Sequence, residues 1–302
     1  MDDVTSDDQL ADSFEAERPR LRSIAYRILG TADDADDVVQ DTWLRFATAD
    51  LATIDNPAAW LTTVASRLAI DHLRSARHRR ETYVGPWLAD PIASELRNES
   101  GADDALILAE SLSLGFLAVL ERLSPLERAV FILHEVFGYP LAEVADIIER
   151  TPSATRQLAK RARDHIERGR PRFAPDPVDI EMLTQMVMAA AMHGDVKTLE
   201  SFLADDIVHL SDGGPNHRAA RRAVVGVDRV GRLFMSLARR FEPGLEFHVV
   251  RANGQVATYF TLHGDPYMLM VANWVDAKMT ASFIVRNPEK LTAFHREWMT
   301  SR

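Results

Sequence analysis

Between residues 10 and 80 apolar side chains recur at three- and four-residue spacing. Leu21, Ile24, Ala25, Ile28 and Leu29 form one stripe, Val38, Val39, Trp43, Leu44 and Phe46 a second, and Trp60, Leu61, Val64, Leu68 and Leu73 a third. A period near 3.6 predicts three or four amphipathic helices. Gly30-Thr31 separates the first two; Thr31 suits an N-cap, and the aspartates after it sit near the positive helix end. Asp55-Asn56-Pro57 opens the next helix, expected to begin near Ala58 with Pro57 suited to its first position.

The pattern breaks over residues 82–103, where prolines, glycines and polar clusters surround Tyr83 and Trp87. This composition predicts a linker. Helical spacing returns from Asp104 to about Arg170, and Pro171, Pro175 and Pro177 mark the next boundary. Past Val178, helical stretches over Ile180–Met192 and Val196–Leu203 precede short strand-like runs: DIVHL, LEFHVVRA, QVATYFTLHG, YMLMVANWV and MTASFIV. Asn253-Gly254, Gly264-Asp265-Pro266 and Asp276-Ala277-Lys278 read as the turns between them. With VGRLFMSLARRF as a further helix, this predicts an α+β domain with an antiparallel sheet.

The segment LAEVADIIERTPSATRQLAKRARDHI has the form of a helix-turn-helix. Leu141, Val144, Ala145, Ile147 and Ile148 make the buried side of its first helix. Thr151 as N-cap and Pro152 as first residue set the start of the second. That helix buries Leu158, Ala162 and Ile166. A recognition helix enters the major groove by its N-terminal part, so Ser153, Thr155, Arg156 and Gln157 are candidates for base contact, with Lys160, Arg161 and Arg163 for phosphates. Seven basic residues lie between Arg156 and Arg172, against Asp164 and Glu167. A solvated basic helix within a bundle is the competing reading. In WLTTVASRLAIDHLRSARHRR, Arg67, Arg74, Arg77, His78, Arg79 and Arg80 form a second patch, for which a helix-dipole role competes with nucleic-acid contact.

Charge restricts how these patches work. The 302 residues carry a formal net charge of −10, so any nucleic-acid binding is local. There is no cysteine, which excludes disulfides, thiolate zinc sites and cysteine nucleophiles. The acidic cluster Asp33, Asp34, Asp36, Asp37 and Asp41 fails as a calcium loop, because counting from Asp34 places Val38 fifth and Val39 sixth. No metal or other cofactor is expected. The N-terminus lacks a secretory pattern and no run of 18 apolar residues occurs, so the expectation is a soluble, cytoplasmic protein with no membrane partner.

Together these residues resemble the extracytoplasmic-function sigma factors of the sigma-70 family. DDADDVVQDTWLR is similar to the polymerase-docking helix of region 2, WLTTVASRLAIDHLRSARHRR to the promoter-recognition helix, and the stretch from LSPLERAV to RARDHI to region 4. The resemblance implies two all-α sigma domains: region 2 over 10–81 and, after the linker 82–103, the region 4 helix-turn-helix over 104–172. It implies that region 2 docks on the β′ clamp helices of core RNA polymerase through Asp34, Asp37, Gln40 and Asp41, with Val38, Val39 and Leu44 packed inward. Region 4 docks on the β flap. Asp55, Asn56, Arg67, Arg74 and Arg77 would contact the minus-ten element of promoter DNA, and Ser153, Thr155, Arg156, Gln157, Lys160, Arg161 and Arg163 the minus-thirty-five element. Glu149 stands where this family's turn usually has glycine. Placing a β-carbon at positive φ costs about 1 kcal/mol, which favours another conformation of the turn.

YVGPWLADP in the linker, SDGGP at Ser211–Pro215 and NPEKL at Asn287–Leu291 resemble three motifs of a sigma-factor subgroup with a fused SnoaL-like domain, a cone-shaped α+β fold, here over 178–302. The subgroup usually has Pro-Glu at Ala89-Asp90 and glycine at Pro215. In such proteins the fused domain is a built-in regulator. Trp87 and Leu88 are an apolar pair in a polar linker. They are expected to dock near Asp212, Gly213, Gly214, Asn287, Pro288, Glu289, Lys290 and Leu291. Two other classes compete: a polymerase-independent helix-turn-helix regulator, and a pocket enzyme using His209, Asp212, His248, Tyr259, His263 or Tyr267. No spacing singles out an acid and base among those six, so no enzymatic activity is expected. A small-molecule ligand in the cone is a further reading.

Overall fold

The computed structural model describes residues 3–93, 111–167, 177–215 and 217–300. The chain forms two compact units, one of Met1–Glu81 with Leu120–Arg168, the other of Thr82–Val119 with Gly169–Arg302. Along the chain the helices are α1 (Asp3–Leu29), α2 (Ala32–Ala47), α3 (Pro57–Glu81), α4 (Leu114–Leu120), α5 (Pro125–Phe131), α6 (Leu141–Ile147), α7 (Pro152–Glu167), α8 (Pro177–His193) and α9 (Val196–Ser201). Then come β1 (Leu203–Asp212), β2 (Val224–Val225), α10 (Val227–Ala238), β3 (Leu245–Ala252), β4 (Gln255–Leu262), β5 (Asp265–Val275), β6 (Lys278–Val285) and α11 (Pro288–Thr300).

In the helical unit, α1, α2 and α3 pack through Leu21, Ile24, Ile28, Val38, Leu61 and Leu73, all buried. Thr31 stands at the N-cap position of α2 without capping it; its hydroxyl donates to Asp34 at 2.6 Å. Helix α3 starts with Pro57 in its first position, and the Asn56 side chain caps it by accepting the Ala59 N–H at 3.1 Å. Ser124 and Glu127 form a reciprocal capping box at the start of α5, which passes into a π turn over Ile132–Val136. Thr151 accepts the Ala154 N–H at 3.2 Å to start α7. The turn before it keeps the left-handed conformation without glycine: Glu149 has φ +54°. The expected rearrangement does not occur.

The sheet unit carries six described strands in the order β2-β1-β6-β5-β4-β3. The pairing departs from a purely antiparallel sheet, since β1 runs parallel to β6. Three two-residue hairpins join β3 through β6, at Asn253-Gly254, His263-Gly264 and Asp276-Ala277. Both turn residues have positive φ in each, the requirement of a type I′ turn matched to strand twist. Pro266 therefore lies inside β5, where its missing N–H coincides with a register shift against Phe260 and Thr261. Alternation divides the sheet faces. Phe260, Met270 and Ile284 pack beneath α8 and α10, while Tyr259 packs on Phe294 of α11.

Candidate functional site

On α2, Asp37, Gln40 and Asp41 are exposed, and Asp34 is half-buried through its bond from Thr31. Asp36 is paired with Arg22 at 2.6 Å. One inward expectation fails: Leu44 is 55% exposed. Its spacing from Asp37 and Asp41 is i+7 and i+3, so the helix turns it to the acidic side while Val38 and Val39 are buried. The resulting face is acidic with one large apolar member.

Asp55 and Asn56 are exposed before α3, although the Asn56 oxygen is committed to capping. Arg74 pairs with Asp71 at 2.9 Å. The Arg77 side chain lies outside the described residues, as do Arg168, Arg170 and Arg172. Arg67 is held by the end of α6: its Nε donates to the Ile147 carbonyl and Nη2 to the Asp146 carbonyl, both at 2.9 Å. These carbonyls end α6, where a cation is favoured. Glu149 adds an ion pair to Arg67 at 3.1 Å. The strained turn residue thus touches a minus-ten candidate.

On α7, Ser153, Arg156, Gln157 and Lys160 are exposed. Thr155 is a correction. It is fully buried and its hydroxyl donates to the Thr151 carbonyl at 3.1 Å, so it serves the packing of the helix and cannot reach a base. Arg161 pairs with Glu127 at 2.9 Å and Arg163 with Glu135 at 2.5 Å. Sequence reasoning missed the charged centre of this unit. Glu121 receives Arg80 at 2.9 Å and Arg128, whose side chain is 1% exposed; Arg80 also donates to the Leu29 carbonyl, and Arg128 to the Arg27 carbonyl at 3.0 Å. Burial opposes ionisation of Glu121, but the two guanidiniums outweigh it and hold the carboxyl below its ordinary value.

In the sheet unit the linker converges on Asp212. Tyr83 donates to one carboxylate oxygen at 2.5 Å, the Leu88 N–H donates to the other at 3.0 Å, and Lys290 pairs with it at 3.0 Å. The Lys290 ammonium also donates to the Leu88 carbonyl and lies 3.9 Å from the Trp87 ring centroid. Asn287 donates to Tyr83 at 3.1 Å. Burial, followed by the Asp212 contact, pushes the Tyr83 phenol above its ordinary value and keeps it a donor. A β-carbon at Gly213 would stand 2.5 Å from the His217 carbonyl oxygen, and one at Gly214 2.8 Å from the Asn287 side chain, so this turn requires glycine. Leu291 is buried beneath the linker-facing turn of α11, while Pro288 and Glu289 are exposed.

A second tie was not anticipated. The Ile92 N–H donates to Asn253 Oδ1 at 3.2 Å, and Asn253 Nδ2 donates to the Leu112 carbonyl at 3.2 Å. One turn residue therefore holds both ends of the segment 93–111. Residues 82–93 and 111–119 belong to the sheet unit, whereas the sequence placed 104–172 together.

The six enzyme candidates do not form one cluster, although His248 and Tyr259 are cross-strand partners with ring centroids 6.4 Å apart. His209 and Asp212, an odd offset apart on β1, lie on opposite faces. His209 is buried against Ser282 at 2.8 Å, and burial pushes its pKa down to about 4. Tyr259 bonds His295 at 2.8 Å, His248 approaches Thr261 at 3.2 Å, His263 occupies a hairpin turn and Tyr267 stacks under Arg286. The apolar cavity among Val187, Met188, Phe234, Phe241 and Phe260 holds about 30 Å³, room for one water.

Sigma-70 region 2 matches residues 14–79 and Sigma-70 region 4 matches residues 113–166. The ECF RNA polymerase sigma factor SigJ of Mycobacterium tuberculosis is 40% identical over 291 residues, 92% of each chain. This chain belongs to the ECF RNA polymerase sigma factors. The similarity of this sigma factor to SigJ runs beyond the sigma regions. The crystal structure of Mycobacterium tuberculosis SigJ matches at a TM-score of 0.73 and 34% identity, covering 94% of this chain and 98% of that one. The probable ECF RNA polymerase sigma factor SigI of the same species is 35% identical over 232 residues, 76% of this chain and 77% of the relative. As a sigma factor the protein serves promoter-specific transcription initiation, through RNA polymerase core and promoter DNA. It joins two helical sigma regions to a SnoaL-like α+β domain. Among the described residues no helix is long and apolar enough to cross a membrane.

Proposed function

We propose that this sigma factor is self-regulated at two places, its minus-ten arginine and its linker. Region 2 docks on the β′ clamp helices through Asp37, Gln40 and Asp41, with Leu44 as the apolar anchor of that face; Asp34 supports the face through Thr31. Region 4 docks on the β flap and reads the minus-thirty-five element through Ser153, Arg156, Gln157 and Lys160. Arg67 and Arg74 serve the minus-ten element, and Asp55 and Asn56 border the site of a base drawn from the stack.

The observation that carries the regulatory part is the engagement of Arg67. Its Nε and Nη2 donate to the end of α6 and its Nη1 pairs with Glu149, so these contacts compete with promoter phosphates for the same guanidinium. Promoter binding through Arg67 is therefore favoured when region 4 releases it. The Asp212–Lys290 clamp sets the position of Tyr83, Trp87 and Leu88, and with them the linker that leads to region 4. The sheet unit acts by binding and positioning, without chemistry of its own. Run-off transcription with core polymerase tests this reading: Arg67→Ala is expected to reduce promoter output, and Trp87→Ala or Asp212→Asn to change it. Unchanged output from the linker variants would refute control through the clamp; polymerase-independent duplex binding would favour an ordinary regulator.

A further inference from the structure

We propose that the loop between β1 and β2 binds a small phosphate-bearing anion against the linker. The loop carries Arg218, Arg221 and Arg222 within five residues, all exposed, in a chain of net charge −10. None of the three faces a carboxylate among the described residues. In the helical unit, by contrast, Arg22, Arg80, Arg161 and Arg163 each have an acidic partner. Arginines left without acids are available to a ligand.

A cavity of about 370 Å³ opens at this loop, lined by Val84, Ser211, Gly214, His217, Arg218 and Arg221. Its size falls in the range of small-molecule pockets, roughly 300–1,000 Å³. The cavity beneath α8 and α10 has room for only a water, whereas this one, at the edge of the sheet unit, is ligand-sized. Two hydrogen bonds pin described residues of the loop. The Ala220 N–H donates to Ser211 Oγ at 2.9 Å and the His217 N–H to the Gly213 carbonyl at 3.2 Å. A β-carbon on Gly85 of the linker would lie 3.5 Å from the Arg221 backbone, so the two segments pack closely.

Arg286, just after β6, does not line the cavity but supports the loop beside it. It stacks 4.5 Å from the Tyr267 ring centroid, reaches the Arg218 carbonyl at 3.5 Å, and keeps a buried Nε without a partner. Phosphoryl oxygens suit such a site, because planar guanidiniums grip them in pairs. A half-enclosed cavity of this size admits a phosphorylated small molecule and excludes the body of a duplex. Val84 lines the cavity and Tyr83 beside it bonds Asp212, so an occupant would hold the linker end in place. The proposal does not depend on how Arg67 is regulated.

Calorimetric titration and thermal melting of the full chain with inorganic pyrophosphate, at constant ionic strength, test it. Saturable one-to-one binding and a raised Tm are expected. Arg218→Ala/Arg221→Ala should bind about tenfold more weakly, or about 1.4 kcal/mol, while melting as the parent does without ligand. Both sites are exposed, and Arg218→Lys/Arg221→Lys should fall between. Arg156→Ala/Lys160→Ala on the recognition helix should leave pyrophosphate binding intact. Absence of saturable binding at millimolar pyrophosphate, equal affinity in the alanine variant, or loss of binding in the recognition-helix variant instead would overturn the proposal. Tighter binding of a promoter duplex through Arg218 and Arg221 would reassign the patch to DNA phosphates.

Discussion

Each unit of the molecule holds a carboxylate among several donors, half-buried in the helical unit and fully buried in the sheet unit, and the two are used differently. Glu121 is answered by two guanidiniums from other helices, so it ties side chain to side chain. Asp212 is answered by one ammonium, one phenol and the N–H groups of Leu88 and Gly214, so it fixes the path of the linker backbone itself. The first arrangement locks helix packing and leaves little to adjust. The second specifies where a connecting segment lies, and its ammonium also reaches the Leu88 carbonyl and Asp90. A tie between helices and a clamp on a linker are thereby distinguished by the type of donor around one acid.

The sharpest break of this contrast is Glu121→Leu. It leaves Arg80 and Arg128 buried without an acid, and breaking such a pair costs about 3–5 kcal/mol. Urea unfolding followed by circular dichroism should show the loss; a smaller change than that of Asp212→Asn would reverse the ranking. Acidification separates the units next. His209 stays neutral in the fold until about pH 4, while an unfolded histidine binds its proton near 6.5. The unfolded chain thus holds more protons between these values, and stability falls by up to about 3 kcal/mol as pH drops from 6.5 to 4. Glu121 has a lowered pKa, so its contribution is lost only as pH falls below the ordinary carboxylate range. The sheet unit should therefore loosen first, and His209→Asn should flatten the dependence above pH 4. Unchanged slope in that variant would remove His209 from the account.

Asp212→Asn keeps the shape of the clamp but loses its charge, costing about 2 kcal/mol for bonds to a charged acceptor. The cost is moderated because Asp90 stands 3.8 Å from Lys290. Faster proteolysis within the linker should accompany it, and an unaltered cleavage rate would show that Asp212 does not hold that segment. Charge reversal at Asp37→Arg should weaken binding to core polymerase without lowering Tm, as an exposed substitution is worth about 0.5 kcal/mol or less in stability. The smallest stability change belongs to Glu149→Gly. Relief of positive φ, about 1 kcal/mol, opposes loss of an exposed pair worth about 0.2–1 kcal/mol. Tm should barely move while minus-ten binding rises; weaker promoter binding would mean that Glu149 does not restrain Arg67.

Periodicity made the helices legible, and turn chemistry the hairpins. Where the reading went astray, a local signal competed with a distant one. Thr155 stands among polar recognition-helix residues, yet the turn of α7 at that position faces the core and its hydroxyl is satisfied by Thr151. Leu44 reads as core by hydrophobicity, yet helix rotation carries it out with the aspartates. The Glu121 network and the Asn253 ties join residues 41 and 161 positions apart, separations that no window of sequence reveals. Asp212 and Lys290 were visible as motifs, but not the parallel register that brings them together.

That parallel pairing also orders events in time. Strand β1 acquires its β6 neighbour only after Val285 has been made, and Lys290 follows still later. At about 5–20 residues per second, synthesis from Arg168 to Lys290 takes roughly 6–25 seconds. Through that interval both sigma regions exist on the nascent chain with nothing to close the clamp. The contacts of Arg67 with the end of α6 can thus form early, whereas the Asp212–Lys290 clamp is among the last parts of the molecule to be completed.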